Sequence, residues 1–110
     1  MKATLKGNKI YLSKELVKEA RVKAGNRLFF FSLKGENRFG FHKADPEMAK
    51  SDILTYLIRR SVSGKLYVTP TDPPVGLIKA TMRLSYKDQT TVSVRKQNLK
   101  ELDIFILNKK

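Results

Sequence analysis

The fold is decided by residues 6–20, which read Lys6-Gly7-Asn8-Lys9-Ile10-Tyr11-Leu12-Ser13-Lys14-Glu15-Leu16-Val17-Lys18-Glu19-Ala20. Gly7 and Asn8 tolerate the positive φ of a tight turn, and short β-prone runs lie on both sides of them. Ser13 stands where a helix N-cap stands, and the apolar residues after it recur at helical spacing. The stretch therefore predicts a hairpin over residues 3–12 and a two-turn helix over residues 13–20.

Two further elements follow in the first half of the chain. The apolar runs 28–33 and 38–41 flank a Lys-Gly-Glu-Asn turn, which predicts a second hairpin. Asp45 and Pro46 suit the N-cap and the first position of a helix. An apolar stripe at helical spacing then predicts a largely buried helix over residues 46–60.

The second half contains several short elements. The pattern predicts, in order, a strand at 66–68, a proline-rich connector at 70–74, a third hairpin with arms 75–86 and 90–95, a short helix at 98–102 and a strand at 104–107. A weak internal echo aligns residues 2–5 with residues 79–82. It leaves open whether the chain is a duplication.

Composition points to a polyanionic partner. The 110 residues suit one compact domain, and 23 Lys and Arg against 10 Asp and Glu give a net charge of +13. Residues 1–43 carry 11 basic and 3 acidic side chains, a net charge of +8. The counts are 3 and 3 in residues 44–64, and 9 and 4 in residues 65–110. The basic charge is therefore concentrated towards the two ends.

Several functional classes find no support in the residues. The chain has no cysteine, which excludes disulfides, thiolate zinc sites and cysteine nucleophiles. His42 is the only histidine, and Asp45, Glu47 and Asp52 are better explained by helix capping and an exposed helix face than by a metal site. We expect no enzymatic activity and no cofactor. Without a signal peptide or membrane span, we expect a cytoplasmic, nucleoid-associated protein and no membrane partner.

Residues 6–20, continuing through Val22-Lys23-Ala24-Gly25-Asn26-Arg27-Leu28, resemble the swapped-hairpin DNA-binding domain of the AbrB/SpoVT/MazE type. The resemblance covers residues 2–43. It departs from the family pattern at Ser13, where a proline is common, at Arg21, where a glycine often follows the helix, and at Asn26, which replaces an aspartate.

The resemblance implies a homodimer in which two chains exchange hairpins, and a role as a transcriptional regulator or an antitoxin. It also implies that the basic hairpin and the start of the helix face the DNA. The candidate DNA-binding residues are Lys6, Asn8, Lys9, Lys14, Lys18, Arg21 and Lys23. Their density is typical of phosphate neutralisation, and the excess of Lys over Arg favours backbone contact and recognition of DNA shape.

We therefore expect a mostly β fold with short helices. Residues 1–43 would form a swapped-hairpin β-barrel dimer that binds double-stranded DNA, and residues 44–110 a C-terminal extension, packed with the first part or separate from it. The dimer is expected because two short hairpins cannot bury a set of apolar side chains within one copy. That set comprises Ile10, Leu12, Leu28 and Phe30.

Two other functions remain open. Phenylalanines at 29–31, 39 and 41 lie among basic residues, a pattern typical of proteins that stack single-stranded nucleic acid or RNA bases. Core packing is the competing explanation, although alternation along 29–31 places at least one ring on the opposite face. Residues 44–110 are also a candidate site for a protein partner, as in an antitoxin.

Overall fold

The structure is a computed structural model that describes residues 1–109. It is mostly β, with 45% strand and 17% helix, which confirms the expected fold class. In chain order the described elements are β1 Lys2–Lys6, β2 Lys9–Leu12, α1 Lys14–Ala20, β3 Arg27–Leu33, β4 Arg38–Lys43, α2 Pro46–Lys50, β5 Tyr56–Leu57, β6 Arg59–Arg60, β7 Leu66–Val68, α3 Val75–Thr81, β8 Gln89–Leu99 and β9 Leu102–Asn108. No helix among these is long and apolar enough to cross a membrane.

The strands form one sheet that nearly closes into a barrel. Their order is β5-β3-β4-β9-β8-β1-β2-β7-β6. β5 and β6 lie at opposite ends of this order but belong to the single segment 56–60, which pairs with β3 on one side and β7 on the other. Pairs of strands from residues 1–43 therefore lie between strands from residues 44–110. Both ranges line one hydrophobic core.

The elements predicted from residues 6–20 are confirmed. β1 and β2 form the first hairpin. The Ser13 hydroxyl accepts a hydrogen bond from the Leu16 amide at 3.2 Å, so this serine caps α1. β3 and β4 form the second hairpin.

The predicted helix over 46–60 is wrong beyond its first turn. Asp45 caps it as expected, accepting from the Met48 amide at 2.7 Å, but α2 ends at Lys50 and buries none of its residues. The Ser51 hydroxyl donates to the Met48 carbonyl at 2.8 Å and thereby offers the chain an alternative to helix. Residues 56–60 then extend and hydrogen-bond to β3 and β7, which satisfies the edges of those two strands. Tyr56 and Ile58 are consequently buried at the two-residue spacing of a strand.

The first arm of the predicted third hairpin is also wrong. Residues 75–81 form α3, and the buried residues Val75 and Ile78, with Met82 at the C-cap, lie at the i, i+3, i+7 spacing of a helix. The same residues also alternate between apolar and polar side chains, as in a strand. Packing against the core decides in favour of the helix.

The predicted short helix over 98–102 is a turn. β8 continues to Leu99, and Lys100 and Glu101 form a two-residue connection to β9 with φ values of 47° and 70°. Such turns are usually signalled by Asn-Gly or Asp-Gly, and neither pair is present here.

The chain contains two structurally equivalent units. The first unit, residues 2–43, has the order β1-β2-α1-β3-β4, and the second unit, residues 56–108, repeats it as β5/β6-β7-α3-β8-β9. The strand pairings between the units match as well. The pairing of β1 with β8 corresponds to the pairing of β5 with β3. The pairs β2–β7 and β4–β9 each join a strand to its own equivalent, as expected when a two-fold axis relates the units. Two aromatic pairs, Tyr11 with Tyr67 and Phe41 with Phe105, are self-equivalent partners on this axis.

The two helices support the same equivalence. A left-handed arginine follows each helix: Arg21 is the C-cap of α1, and Arg83 comes directly after the C-cap of α3, with φ of 55° and 54°. Leu16 and Ile78, at matching distances before these residues, are both fully buried.

The predicted echo between residues 2–5 and 79–82 is wrong in register, since the former lie in a strand and the latter span the end of a helix. The equivalence instead aligns Lys-Ile-Tyr-Leu at 9–12 with Lys-Leu-Tyr-Val at 65–68.

The reason given for a homodimer is wrong. The four side chains expected to need a second copy are at most 6% exposed within a single chain: Ile10, Leu12, Leu28 and Phe30. The second unit covers what a partner was expected to cover. The homodimer itself stays a prediction.

Gly40 is required where β4 passes beneath Phe31. A Cβ at Gly40 would lie 2.7 Å from the Phe31 ring and 3.1 Å from the Phe105 carbonyl oxygen. We expect Gly40→Ala to lower the free energy of unfolding by about 1–3 kcal/mol through overpacking, measured by denaturant titration.

Gly76→Ala is the matched control, because a Cβ there meets nothing within 4 Å and Gly76 lies in α3. It should raise the free energy of unfolding by up to about 1 kcal/mol, as Gly-to-Ala changes in helices do. Equal effects of the two substitutions would contradict the packing described at Gly40.

Candidate nucleic-acid interface

A row of partly exposed side chains crosses the outside of five adjacent strands. Cross-strand partners place Thr91, Thr4, Tyr11, Tyr67 and Arg59 side by side on β8, β1, β2, β7 and β6. The alternate positions of these strands carry the buried apolar residues of the core, so the row necessarily faces outwards. We call this surface the tyrosine face.

The centre of the tyrosine face is aromatic. The rings of Tyr11 and Tyr67 lie with their centroids 5.5 Å apart and their planes inclined by 43°. The Lys9 ammonium lies 4.8 Å from the centroid of the Tyr67 ring, within cation–π range. Lys9 is thus held beside the aromatic pair.

Cations surround this aromatic centre. Among the described residues, the outward positions of the five strands carry no carboxylate. Basic residues at or beside these positions include Lys2, Lys6, Lys9, Arg59, Lys65 and Arg95. The charged side chains at the outward positions of these strands are therefore all positive.

A groove of about 880 Å³ continues the tyrosine face towards α1. Tyr11 and Leu12 on β2, Val17 on α1 and the loop 63–65 are among its walls. Five cations line it, namely Lys2, Lys14, Lys23, Arg60 and Lys65, and no acidic residue is among its lining residues. We call it the first groove.

The structure places five of the seven predicted site residues in two groups, one at each end of the β1–β2 hairpin. Lys6, Asn8 and Lys9 lie at the turn between β1 and β2, beside the tyrosine face. Lys14 and Lys23 line the first groove.

Lys18 and Arg21 are exposed but are not among the residues that line this groove. Glu19, one of the two acids of the region, is occupied by an ion pair with Lys96 at 3.2 Å.

Six residues of this surface were missed by the sequence analysis: Lys2, Tyr11, Arg59, Arg60, Lys65 and Tyr67. The repeated Lys-apolar-Tyr-apolar pattern at 9–12 and 65–68 would have indicated the tyrosine pair and Lys65. Nothing in the local sequence indicates Arg59 or Arg60, because they were assigned to a helix that does not form.

The phenylalanines lie elsewhere. Phe30, Phe39 and Phe41 are buried in the core. Phe29 and Phe31 lie on the outside of β3 and pack on each other and on His42, with ring centroids 5.2–6.4 Å apart.

His42 is itself largely buried, and its Nδ1 lies 2.9 Å from the Lys43 carbonyl oxygen. Within residues 1–109 no group of three or more acidic or histidine side chains is arranged to hold a metal ion.

Comparison of the chain with protein-family models, curated proteins and solved structures finds no match.

Proposed function

We propose that this protein binds double-stranded DNA through the tyrosine face and the first groove. Glu15, the exposed acid beside Lys14, pairs with the Met1 amino group at 3.3 Å. The observation that carries the proposal is the set of eight cations on the tyrosine face and along the first groove, where neither the outward strand positions nor the groove lining includes a carboxylate. These are Lys2, Lys6, Lys9, Lys14, Lys23, Arg59, Arg60 and Lys65. They come from both units and become neighbours only in the folded barrel.

The chemistry of the surface favours contact with phosphates. Six of the eight cations are lysines, which act as flexible point charges rather than as planar forks for guanine. Neutralising phosphates releases counterions, and this release supplies most of the sequence-independent affinity. Discrimination between DNA sequences then rests on groove shape and deformability.

The shape of the surface favours contact with the outside of a duplex. β2 and β7 lie at its centre and pair with β1 and β6 on their other edges. Because neighbouring strands lie about 4.8 Å apart, these four strands are wider than a major groove about 12 Å across and would lie against the phosphate backbones. Lys9, Tyr11, Lys65 and Tyr67 would be at the centre of the contact, with Lys2 and the first groove at one side of it.

The resemblance of residues 2–43 to swapped-hairpin DNA-binding domains supports the same proposal independently. That resemblance implies a transcriptional regulator, and we extend the proposal to that role. The second unit of this chain would take the place that a second chain occupies in the family.

The first test removes two equivalent lysines of the tyrosine face. For Lys9→Ala with Lys65→Ala, we expect weaker binding to duplex DNA and a log–log salt slope smaller by about two, one for each lost phosphate contact. The control, Lys34→Ala with Lys50→Ala, removes the same charge from exposed positions away from the face and should leave the slope unchanged.

Fluorescence anisotropy with labelled duplex at several salt concentrations measures these quantities, with a single strand of the same length in parallel. Equal losses in the two variants would mean that only net charge matters. Tighter binding to the single strand would contradict the duplex proposal and favour base stacking on Tyr11 and Tyr67.

The second test separates binding from stability. Lys14 is exposed, so Lys14→Ala should change the free energy of unfolding by less than about 0.5 kcal/mol while weakening DNA binding. Leu12 is only 6% exposed, so Leu12→Ala should cost about 2–5 kcal/mol. Thermal or denaturant unfolding measures both. A destabilised Lys14→Ala variant would show that this lysine has a structural role.

A further inference from the structure

The two-fold axis through the barrel relates the first groove to a second position on the protein. The register of the strands shows which residues are equivalent. Thr4 lies opposite Tyr11, and Arg59 lies opposite Tyr67, so Thr4 corresponds to Arg59. Counting along the two strands from this pair, Lys2 corresponds to Leu57 and Leu5 corresponds to Arg60. The pairing of Tyr11 with Tyr67 makes Lys65 equivalent to Lys9.

The helix ends complete the comparison. Since Arg21 corresponds to Arg83, Lys14 corresponds to Gly76 and Lys23 to Ser85. The five cations of the first groove are thus replaced by Leu57, Gly76, Ser85, Leu5 and Lys9. Only one of the five equivalents is basic, and Leu5 is fully buried.

The backbone is therefore nearly two-fold symmetric while the charge beside the two helices is not. α1 presents Lys14 to the first groove, whereas the exposed surface of α3 includes Gly76, Leu77 and Ala80. Leu77 is 49% exposed. Two neutral residues of the first groove, Thr4 and Val17, have the cations Arg59 and Lys79 as their equivalents. Lys79 is buried and its ammonium donates to the Lys87 carbonyl oxygen at 2.9 Å, so it is already used within the protein. The equivalent position therefore offers a phosphate backbone fewer available cations than the first groove does.

We infer that a single chain binds duplex DNA in one defined orientation, with the phosphate backbone in the first groove and not at its two-fold equivalent. This inference rests on the proposed DNA binding. A symmetric dimer presents two identical grooves and places equal halves on a palindromic site. This chain presents one such cationic groove, so its footprint is asymmetric and one chain fills one site, in place of the homodimer that the family resemblance implies.

The test introduces a single cysteine at each of two serine positions. Because the chain has no cysteine of its own, each variant carries one thiol. Ser63 lines the first groove, and Ser85 is the equivalent of Lys23 beside α3; both are exposed. Ser63→Cys and Ser85→Cys, each in the full chain, would be alkylated with the neutral reagent iodoacetamide with and without saturating duplex DNA. The rates of alkylation are the readout.

We expect DNA to protect the Ser63→Cys thiol in proportion to the fraction of protein bound, and to leave the rate at Ser85→Cys unchanged. Sedimentation of the complex should give one chain per short duplex. Equal protection of the two thiols, or two chains per duplex, would overturn the inference while leaving the proposed function standing. Failure of the unmodified chain to bind the duplex would overturn the proposed function and the inference with it.

A charge variant gives a second readout. Lys14→Gly with Lys23→Ser converts two positions of the first groove into their second-unit equivalents and should lower the salt slope by about two. An unchanged slope in a folded variant would show that the phosphates do not enter the first groove, and would overturn the inference.

Discussion

The antiparallel pairing of β2 with β7 joins the two units of the chain and orients both the hydrophobic core and the tyrosine face. It places Tyr11 opposite Tyr67 on the two-fold axis and directs Ile10, Leu12, Leu66 and Val68 into the core. A slip of either strand by one residue would turn its buried apolar side chains outwards. The same pairing joins the cations of the first unit to those of the second. The inner side of this strand pair therefore contributes to the core, and its outer side contributes to the candidate interface.

The second unit changes what the chain needs from a partner. Each unit alone is a small set of short strands, and a hairpin by itself is marginally stable in water. Pairing of β1 with β8, β3 with β5 and β4 with β9 supplies each unit with the neighbours it lacks. Because both units belong to one chain, their sequences are free to differ, and the difference in charge beside α1 and α3 is one result.

Local signals predicted the first unit well and the second unit poorly. The hairpin at Gly7-Asn8 and the Ser13 cap are local interactions, so residues 2–20 were readable. Residues 56–60 form strands only because β3 and β7 lie on either side of them, and the turn at Lys100-Glu101 has no glycine. Lys9 and Lys14 are candidates because of the family resemblance, with local basic density as support, whereas Arg59 and Arg60 join the surface through long-range pairing. The matching tetrapeptides at 9–12 and 65–68 were the one overlooked local signal.

The central claim is that one chain supplies both halves of the barrel. The most direct measurement is isotope-filtered NOE spectroscopy on a mixture of labelled and unlabelled protein, mixed in the unfolded state and refolded together. The account predicts Tyr11–Tyr67 and Phe41–Phe105 contacts within uniformly labelled chains and none between labelled and unlabelled chains. Filtered contacts between chains at these pairs would contradict it, because they would show that the two units of the barrel come from different molecules.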